Sequence, residues 1–305
     1  MNDPLPSWNE GASKAAIESF VARVTTEGGP DFVPAGDRIA VFDNDGTLWC
    51  EFPMQVQIFF ALAQVKLLAR QDPKLLEKPA FKAMLDCDLH ALAALPKKEA
   101  FEPAFATHAG MTVDEFRVNA SEWLAEARHP TLMQLFKQGA YLPQRELLDH
   151  LRANGFKTCI VTGGGVEFVR VIAEELYGIP PEQVIGSSMR MKVETVEGQP
   201  VLRKLPELGS FDDREEKVVN IALHLGRRPI FAFGNSDGDL AMIRYTLAGD
   251  GPRMAWYLHH DDAEREFAYD RDFKLSALKE GLDHADEYGI GLVSMKNDWN
   301  RVFAQ

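Results

Sequence analysis

Three short runs of consecutive apolar residues stand out along the chain: Ile39-Ala-Val-Phe42, Cys159-Ile-Val161 behind Thr158, and Ile230-Phe-Ala-Phe233. Unbroken apolar runs of this length, each ending at once in polar or glycine-rich sequence, are the pattern of strands buried on both faces. The intervening sequence changes period. Ile17, Phe20, Val21 and Val24 recur at helical spacing from about Ala12 to Thr26, where Gly28-Gly29-Pro30 stops the run. Leu147, Leu148 and Leu151 mark a second helix ended by Gly155, and another is expected from about Val166 to Tyr177. Asp213 with Glu216 three residues on predicts a capping box opening a helix that carries Lys217. Val184 to Leu202, with Glu197-Gly198 inside it, predicts a strand and hairpin, and Arg253 to Leu258 a further strand.

Between about Phe52 and Gln138 the pattern turns almost wholly helical, with Leu62, Val65, Leu68, Phe81, Met84 and Leu85 among its apolar positions. Thr112 and Glu115 form a capping-box signature there, followed by Phe116, Ala120, Trp123, Leu124 and Ala127 at helical spacing, read as packing residues. The fold expected is α/β: a doubly wound, Rossmann-like parallel sheet with helices on both faces and an inserted α-helical cap. Its core would be 1–51 and 139–305, and its cap 52–138. Ligands of such sheets lie beyond the carboxyl ends of the strands.

The candidate chemistry falls at those ends. After the first run come Asp43-Asn44-Asp45-Gly46-Thr47, two carboxylates two positions apart, one able to attack phosphorus while the other handles a proton. A calcium loop counted from Asp43 fails, since its sixth and twelfth positions are Leu48 and Met54. Thr162-Gly163-Gly164-Gly165 sets a hydroxyl and backbone amides at an expected helix start, a turn suited to an anion or simply flexible. Gly234-Asn235-Ser236-Asp237-Gly238-Asp239 adds oxygen ligands for a hard cation.

Taken in this order, the four elements resemble the haloacid dehalogenase-like superfamily, and within it the phosphoserine-phosphatase-like phosphohydrolases, from about Ile39 to Met242. The resemblance implies Asp43 as the nucleophile that becomes an aspartyl-phosphate and Asp45 as the acid and base. It implies Thr162, with Gly163 and Gly164 close to it, as the hydroxyl that holds a phosphoryl oxygen, and Lys217 as the lysine that neutralises charge on the nucleophile and the phosphoryl group. Magnesium would be held by Asp43, the carbonyl of Asp45, Asn235 and Asp239. Asn235 stands where most such phosphatases carry an acid, and Asp237 is the alternative ligand. Trp49 and Glu51 either receive a cationic amine of the substrate or are a structural tryptophan and a surface glutamate. The helical insertion resembles the cap such phosphatases carry at this point in the chain. The expected activity is hydrolysis of a small-molecule phosphate monoester. A phosphoryl-transferring mutase and a phosphate-ligand binding protein of weakened catalysis are the alternatives.

Composition narrows the partners. The 305 residues are 46% hydrophobic and 26% charged, enough for a sizeable core. A net charge of −13 argues against a nucleic-acid backbone as partner. Cys50, Cys87 and Cys159 have no metal-ligand or disulfide spacing. His259-His260-Asp261-Asp262 is read as a surface loop rather than a metal site. No stretch has the length of a membrane span, and the first residues lack the pattern of a secretion signal, so a cytoplasmic location is expected, or a periplasmic one if a leader was removed. Oligomeric state is not set by any of these patterns.

Overall fold

The computed structural model describes residues 3–95, 99 and 102–304. Positions 96–98, 100 and 101 of the expected helical insertion lie outside the described residues, as do Met1, Asn2 and Gln305.

The chain begins with α1 (Ala12–Thr25) and β1 (Ile39–Phe42), followed by α2 (Val56–Gln71), α3 (Pro79–Leu85), α4 (Leu89–Ala94), α5 (Glu102–Ala106) and α6 (Val113–Glu126). It continues through α7 (Leu142–Ala153), β2 (Lys157–Gly165), α8 (Val166–Tyr177), β3 (Val184–Val196), β4 (Gln199–Ser210), α9 (Glu215–Leu225) and β5 (Phe231–Gly234). The last elements are α10 (Leu240–Leu247), β6 (Met254–Asp261), β7 (Ala268–Tyr269), α11 (Glu280–Tyr288), β8 (Gly291–Ser294) and α12 (Met295–Asp298).

One sheet runs β4-β3-β2-β1-β5-β6-β7, with β8 also paired to β6. β3, β2, β1, β5, β6 and β8 are parallel, while β4 and β7 run antiparallel at the margins. This is the mostly parallel α/β architecture expected. Its apolar runs are continuous because both sheet faces are covered: Ala40 and Phe42 of β1 enter one core cluster with α1, α7 and α8, and Ile39 and Val41 enter another with α9, α10 and α11. The chain winds outward from β1 through β2 and β3, then returns to the other side through β5 and β6. That reversal opens a crevice at the carboxyl ends of β1 and β5.

The helices between β1 and α7 pack in two ways. Ala61, Leu62, Val65, Phe81 and Met84 form a small cluster of their own. Phe60 and Phe116 instead join the larger core, where the Phe60 ring lies 5.4 Å from that of Phe168 on α8. The capping box of α6 forms as expected, Thr112 Oγ1 accepting from Glu115 N and Glu115 Oε2 accepting from Thr112 N. The β3–β4 hairpin turns at Glu197-Gly198, both at positive φ, and reaches further than expected, to Ser210. Its second strand is tied to these helices by backbone hydrogen bonds from Gly110 N to Lys204 O (3.1 Å) and from Lys204 N to Met111 O (2.9 Å).

Two local expectations are corrected, and a third holds with an addition. The capping box at Asp213 and Glu216 does not form: α9 begins at Glu215, and the amide of Glu216 bonds to the backbone oxygen of Asp213 instead of its side chain. The cause lies in Arg214, held at φ 54° with its N–H donating to Gly238 O. The glycines after Thr162 stand at a helix start as expected, Gly165 capping α8, which begins at Val166, while β2 also continues to Gly165, paired with Ser187. His259 and His260 are not on a surface loop. β6 runs through both, and strand alternation leaves His259 half-exposed and turns His260 inward.

Candidate active site

β1 delivers Asp43 to the crevice, its N–H donating to Phe233 O of β5 at 2.9 Å. The chain then turns tightly, with Asn44 O accepting from Thr47 N and Leu48 N. Gly46 sits at φ +75°, and a Cβ there would lie 2.1 Å from Asn235 Nδ2 and 2.4 Å from Glu51 Oε1. Only glycine satisfies both the conformation and the space. His260 fixes this turn from below, its Nε2 lying 2.7 Å from Gly46 O and therefore donating to it, with Glu266 Oε2 facing Nδ1 at 3.3 Å.

Lys217 is the electrostatic centre. Its Nζ donates to Asp43 Oδ1 (2.6 Å), Asp239 Oδ1 (2.6 Å) and Val161 O (2.9 Å), which uses all three N–H bonds. Burial opposes its charge, but the carboxylates of Asp239 and Asp43 outweigh burial and hold it above the ordinary lysine value. Its geometry is that of a counter-ion to Asp43, with no N–H bond left over for a phosphoryl oxygen. Asp43 Oδ2 has no hydrogen-bond partner among the described residues. Burial, reinforced by Asp239, pushes the Asp43 carboxyl well above the usual carboxylate range, against the pull of Lys217.

Asp45 is partly buried beside it, with Oδ1 accepting from Trp49 Nε1 at 2.8 Å. Burial pushes its carboxyl up to about 6, the Trp49 hydrogen bond acting the other way. Trp49 is thus buried and bonded to the motif. Glu51 is buried too, which corrects the surface-glutamate alternative. It accepts from Ser276 Oγ (2.5 Å), Asn235 Nδ2 (2.8 Å), Gln55 Nε2 (3.0 Å) and Tyr269 OH (3.2 Å).

Thr162 ends the buried part of β2, its Oγ1 accepting from Gly164 N at 3.0 Å, and Gly165 N donates to Gln57 Oε1 at 2.6 Å. Gly163 and Gly164 bring backbone to the same cavity, and a Cβ on Gly164 would lie 3.3 Å from Thr162 Oγ1 and 3.4 Å from Asp45 Oδ2. The last motif separates into distinct tasks. Asn235 Oδ1 accepts from Thr47 Oγ1 at 3.1 Å. Asp239 Oδ2 accepts from Asn235 N and Ser236 N, so both its oxygens are engaged and it serves as an anchor for Lys217 and its own loop. Asp237 turns away from the site, accepting from Lys279 N, Glu280 N and Gly281 N at the start of α11. It is a helix cap rather than an alternative metal ligand.

Asp43, Asp45, Glu51, Thr162, Gly163, Gly164, Lys217 and Asp239 line one cavity of about 420 Å³, with Asn235 lying behind Gly46 and Glu51. Sequence reasoning missed His260, Gln57, Tyr269 and Ser276, which steady the motifs, and Glu167, Lys204 and His108, which line the far end. None carries a local motif. His108 is 7% exposed, and burial, with the Lys204 charge, pushes its imidazole down to about 3. Because the unfolded chain takes up that proton near pH 6.5 and the folded chain does not, His108 lowers stability progressively as pH falls from about 6.5 to 3. Urea titrations of the wild type and His108→Phe should therefore differ by a constant amount above pH 7. Below about 6.5 the wild type should lose up to about 1.4 kcal/mol per pH unit relative to the variant. An unchanging difference would show that His108 titrates normally.

A buried carboxylate paired to lysine, with a second carboxyl beside it, thus lies at the strand ends of a doubly wound sheet. Over residues 40–244 the chain matches the family model for haloacid dehalogenase-like hydrolases, and it belongs to that family. Among solved structures, a conserved functionally unknown protein from Anaerococcus prevotii DSM 20548 is 15% identical with a TM-score of 0.55, over 86% of this chain and 89% of that one. A protein with unknown function from Bordetella pertussis Tohama I is 16% identical with a TM-score of 0.54, over 84% and 97%. A phosphoserine phosphohydrolase-like protein from Francisella tularensis subsp. tularensis SCHU S4 is 14% identical with a TM-score of 0.42, over 82% and 98%. The first two share the fold. No curated protein matches the chain. No helix among the described residues is long and apolar enough to cross a membrane.

Proposed function

We propose that the protein is a phosphatase that hydrolyses a small-molecule phosphate monoester through an aspartyl-phosphate on Asp43. The observation that carries this reading is the Lys217 bridge: it neutralises Asp43 through Oδ1 and leaves Oδ2 unbonded toward the cavity. Asp43 Oδ2 forms a bond to phosphorus as the ester P–O bond breaks, and protonated Asp45 gives its proton to the leaving oxygen. Asp45, now a carboxylate, takes a proton from water whose oxygen attacks phosphorus. The Asp43–phosphorus bond then breaks and phosphate departs. Thr162 and the Gly163–Gly164 backbone border the phosphoryl group, while Lys217 acts through Asp43. Residues 1–51 and 139–305 form the catalytic core in this reading, and 52–138 a helical cap that covers it.

The donors fit a hard cation. Asp43, Asp45, Glu51 and Asp239 all line the cavity, and burial raises the first three above their ordinary values. Every available donor is an oxygen, as magnesium requires. Asp43, the carbonyl of Asp45, Asn235 and Asp239 would hold it, the last two through the Oδ1 lone pair that their single hydrogen bonds leave free. Bound there, the ion would supply charge stabilisation to the phosphoryl oxygens. Turnover of an aryl phosphate, abolished by chelator and restored by magnesium, tests the reading; absence of turnover across phosphate esters with magnesium present would overturn it. Asn235→Asp offers a sharper check. It sets a carboxylate against Glu51, so the metal-free variant should melt below the wild type, while its gain in melting temperature on adding magnesium should exceed that of the wild type. An equal gain would remove residue 235 from the metal site.

A further inference from the structure

The catalytic cavity extends well past the carboxylates, and its far end is built unlike its mouth. Lys204 of β4 is 2% exposed, and its Nζ donates to Glu167 Oε2 at 2.8 Å while lying 4.5 Å from the centre of the Phe116 ring. Glu167 Oε2 is engaged in that bond, and Lys204 keeps two N–H bonds with no partner among the described residues. Beside it stands His108, its ring 4.6 Å from Phe116 and its buried Nε2 without a hydrogen-bond partner among the described residues. Lys204, Glu167, His108 and Phe116 all line the cavity. Orphaned polar atoms of this kind cost stability unless a ligand satisfies them.

Resting on the phosphatase reading, we infer that Lys204 and His108 form the subsite for the leaving group, and that it takes an uncharged hydrogen-bonding end group, such as a carboxamide or lactam, on an apolar body. The charge balance excludes the alternatives. Lys204 and Glu167 cancel each other, so a carboxylate placed on Lys204 would lie against Glu167, in a cavity already rich in acid. A cation placed on Glu167 would lie against Lys204. A neutral oxygen accepts from Lys204 without either conflict, and the imidazole, kept neutral by burial, bonds its other polar atom. The apolar side chains lining the same cavity include Ile58, Ala61, Met84, Phe168, Met189 and Leu208. Such a lining suits an alkyl or aromatic body rather than a polyol. The subsite joins elements far apart in sequence: His108 and Phe116 come from the inserted helices, Lys204 from the hairpin and Glu167 from α8.

Non-hydrolysable alkyl phosphonates of graded length, ending in carboxamide, methyl, carboxylate or ammonium, test this by titration calorimetry on the whole protein with magnesium. At the best length the carboxamide should bind about tenfold more tightly than the methyl analogue, and more tightly than either charged analogue. Lys204→Met and His108→Phe should each collapse that preference, the second keeping an aromatic ring in place should the first fail to fold. Equal binding of all four end groups, or a preference that survives both substitutions, would overturn the subsite. Turnover of the matching phosphates is measured separately. Clear end-group preference without turnover would refute the phosphatase reading while the subsite stands.

Discussion

Asp43→Asn should reduce turnover of any phosphate ester by at least about 10³-fold, because an amide cannot form the acyl phosphate. The fold should survive the change. Asp43 and Asp239 share one ammonium, and burial together with the Asp239 charge already raises the Asp43 carboxyl. Removing one of the two acids leaves the Lys217–Asp239 pair intact at one charge each. Urea denaturation should therefore place the variant within about 1 kcal/mol of the wild type, the range of a typical hydrogen-bond contribution. Rapid-quench measurement of phosphorylated protein adds an independent readout: labelled protein from the wild type and none from the variant. Wild-type turnover by the pure variant would dismiss Asp43 as nucleophile.

Lys217→Met should be the opposite case, with activity and stability lost together. The substitution is close in length, yet it strands two buried carboxyl groups that no other cation approaches within salt-bridge distance among the described residues. Breaking a buried pair in this way costs about 3–5 kcal/mol. The pH dependence gives the loss a signature. Without lysine the folded pKa of Asp43, already raised, rises further above its unfolded value, so the penalty is full at neutral pH and shrinks as pH falls toward about 4, where the unfolded carboxyl also takes up its proton. Denaturant titrations at several pH values would show the gap to the wild type closing on the acid side. A pH-independent gap would mean that lost packing, not stranded charge, destabilises the variant.

The parts of this protein legible in its sequence are those fixed by short-range pattern. β1 and β5 are apolar throughout because both sheet faces are covered, and α1 shows its buried face at helical spacing. The carboxylates at the ends of β1 and β5 could be read for the same reason, since a buried strand that stops in acid has few other uses. Local pattern failed where distant chain decided the backbone. Thr112 with Glu115 and Asp213 with Glu216 have the same spacing, but only the first is a capping box, because Gly238 O draws the Arg214 amide out of helical geometry. The helix start after the glycine triplet was legible from the spacing of Val166 to Tyr177, but the pairing of Gly165 with Ser187, a residue from the next strand, was not. The identity of the Glu51 environment was equally hidden, since its donors Tyr269 and Ser276 lie more than 200 positions away along the chain.

The region shared with the family ends at residue 244, yet the first motif is held by residues beyond it. His260 carries the Gly46 carbonyl, Tyr269 and Ser276 carry Glu51, and the amides of residues 279–281 carry Asp237. A fragment trimmed to the shared region would retain every side chain proposed to be catalytic and lose the scaffolding that orients them. It would also bare the apolar flank of β5 where β6 now lies. In this protein the family region and the unit of architecture have different ends, and the chain after residue 244 supports the proposed site although none of the proposed reacting groups lies in it.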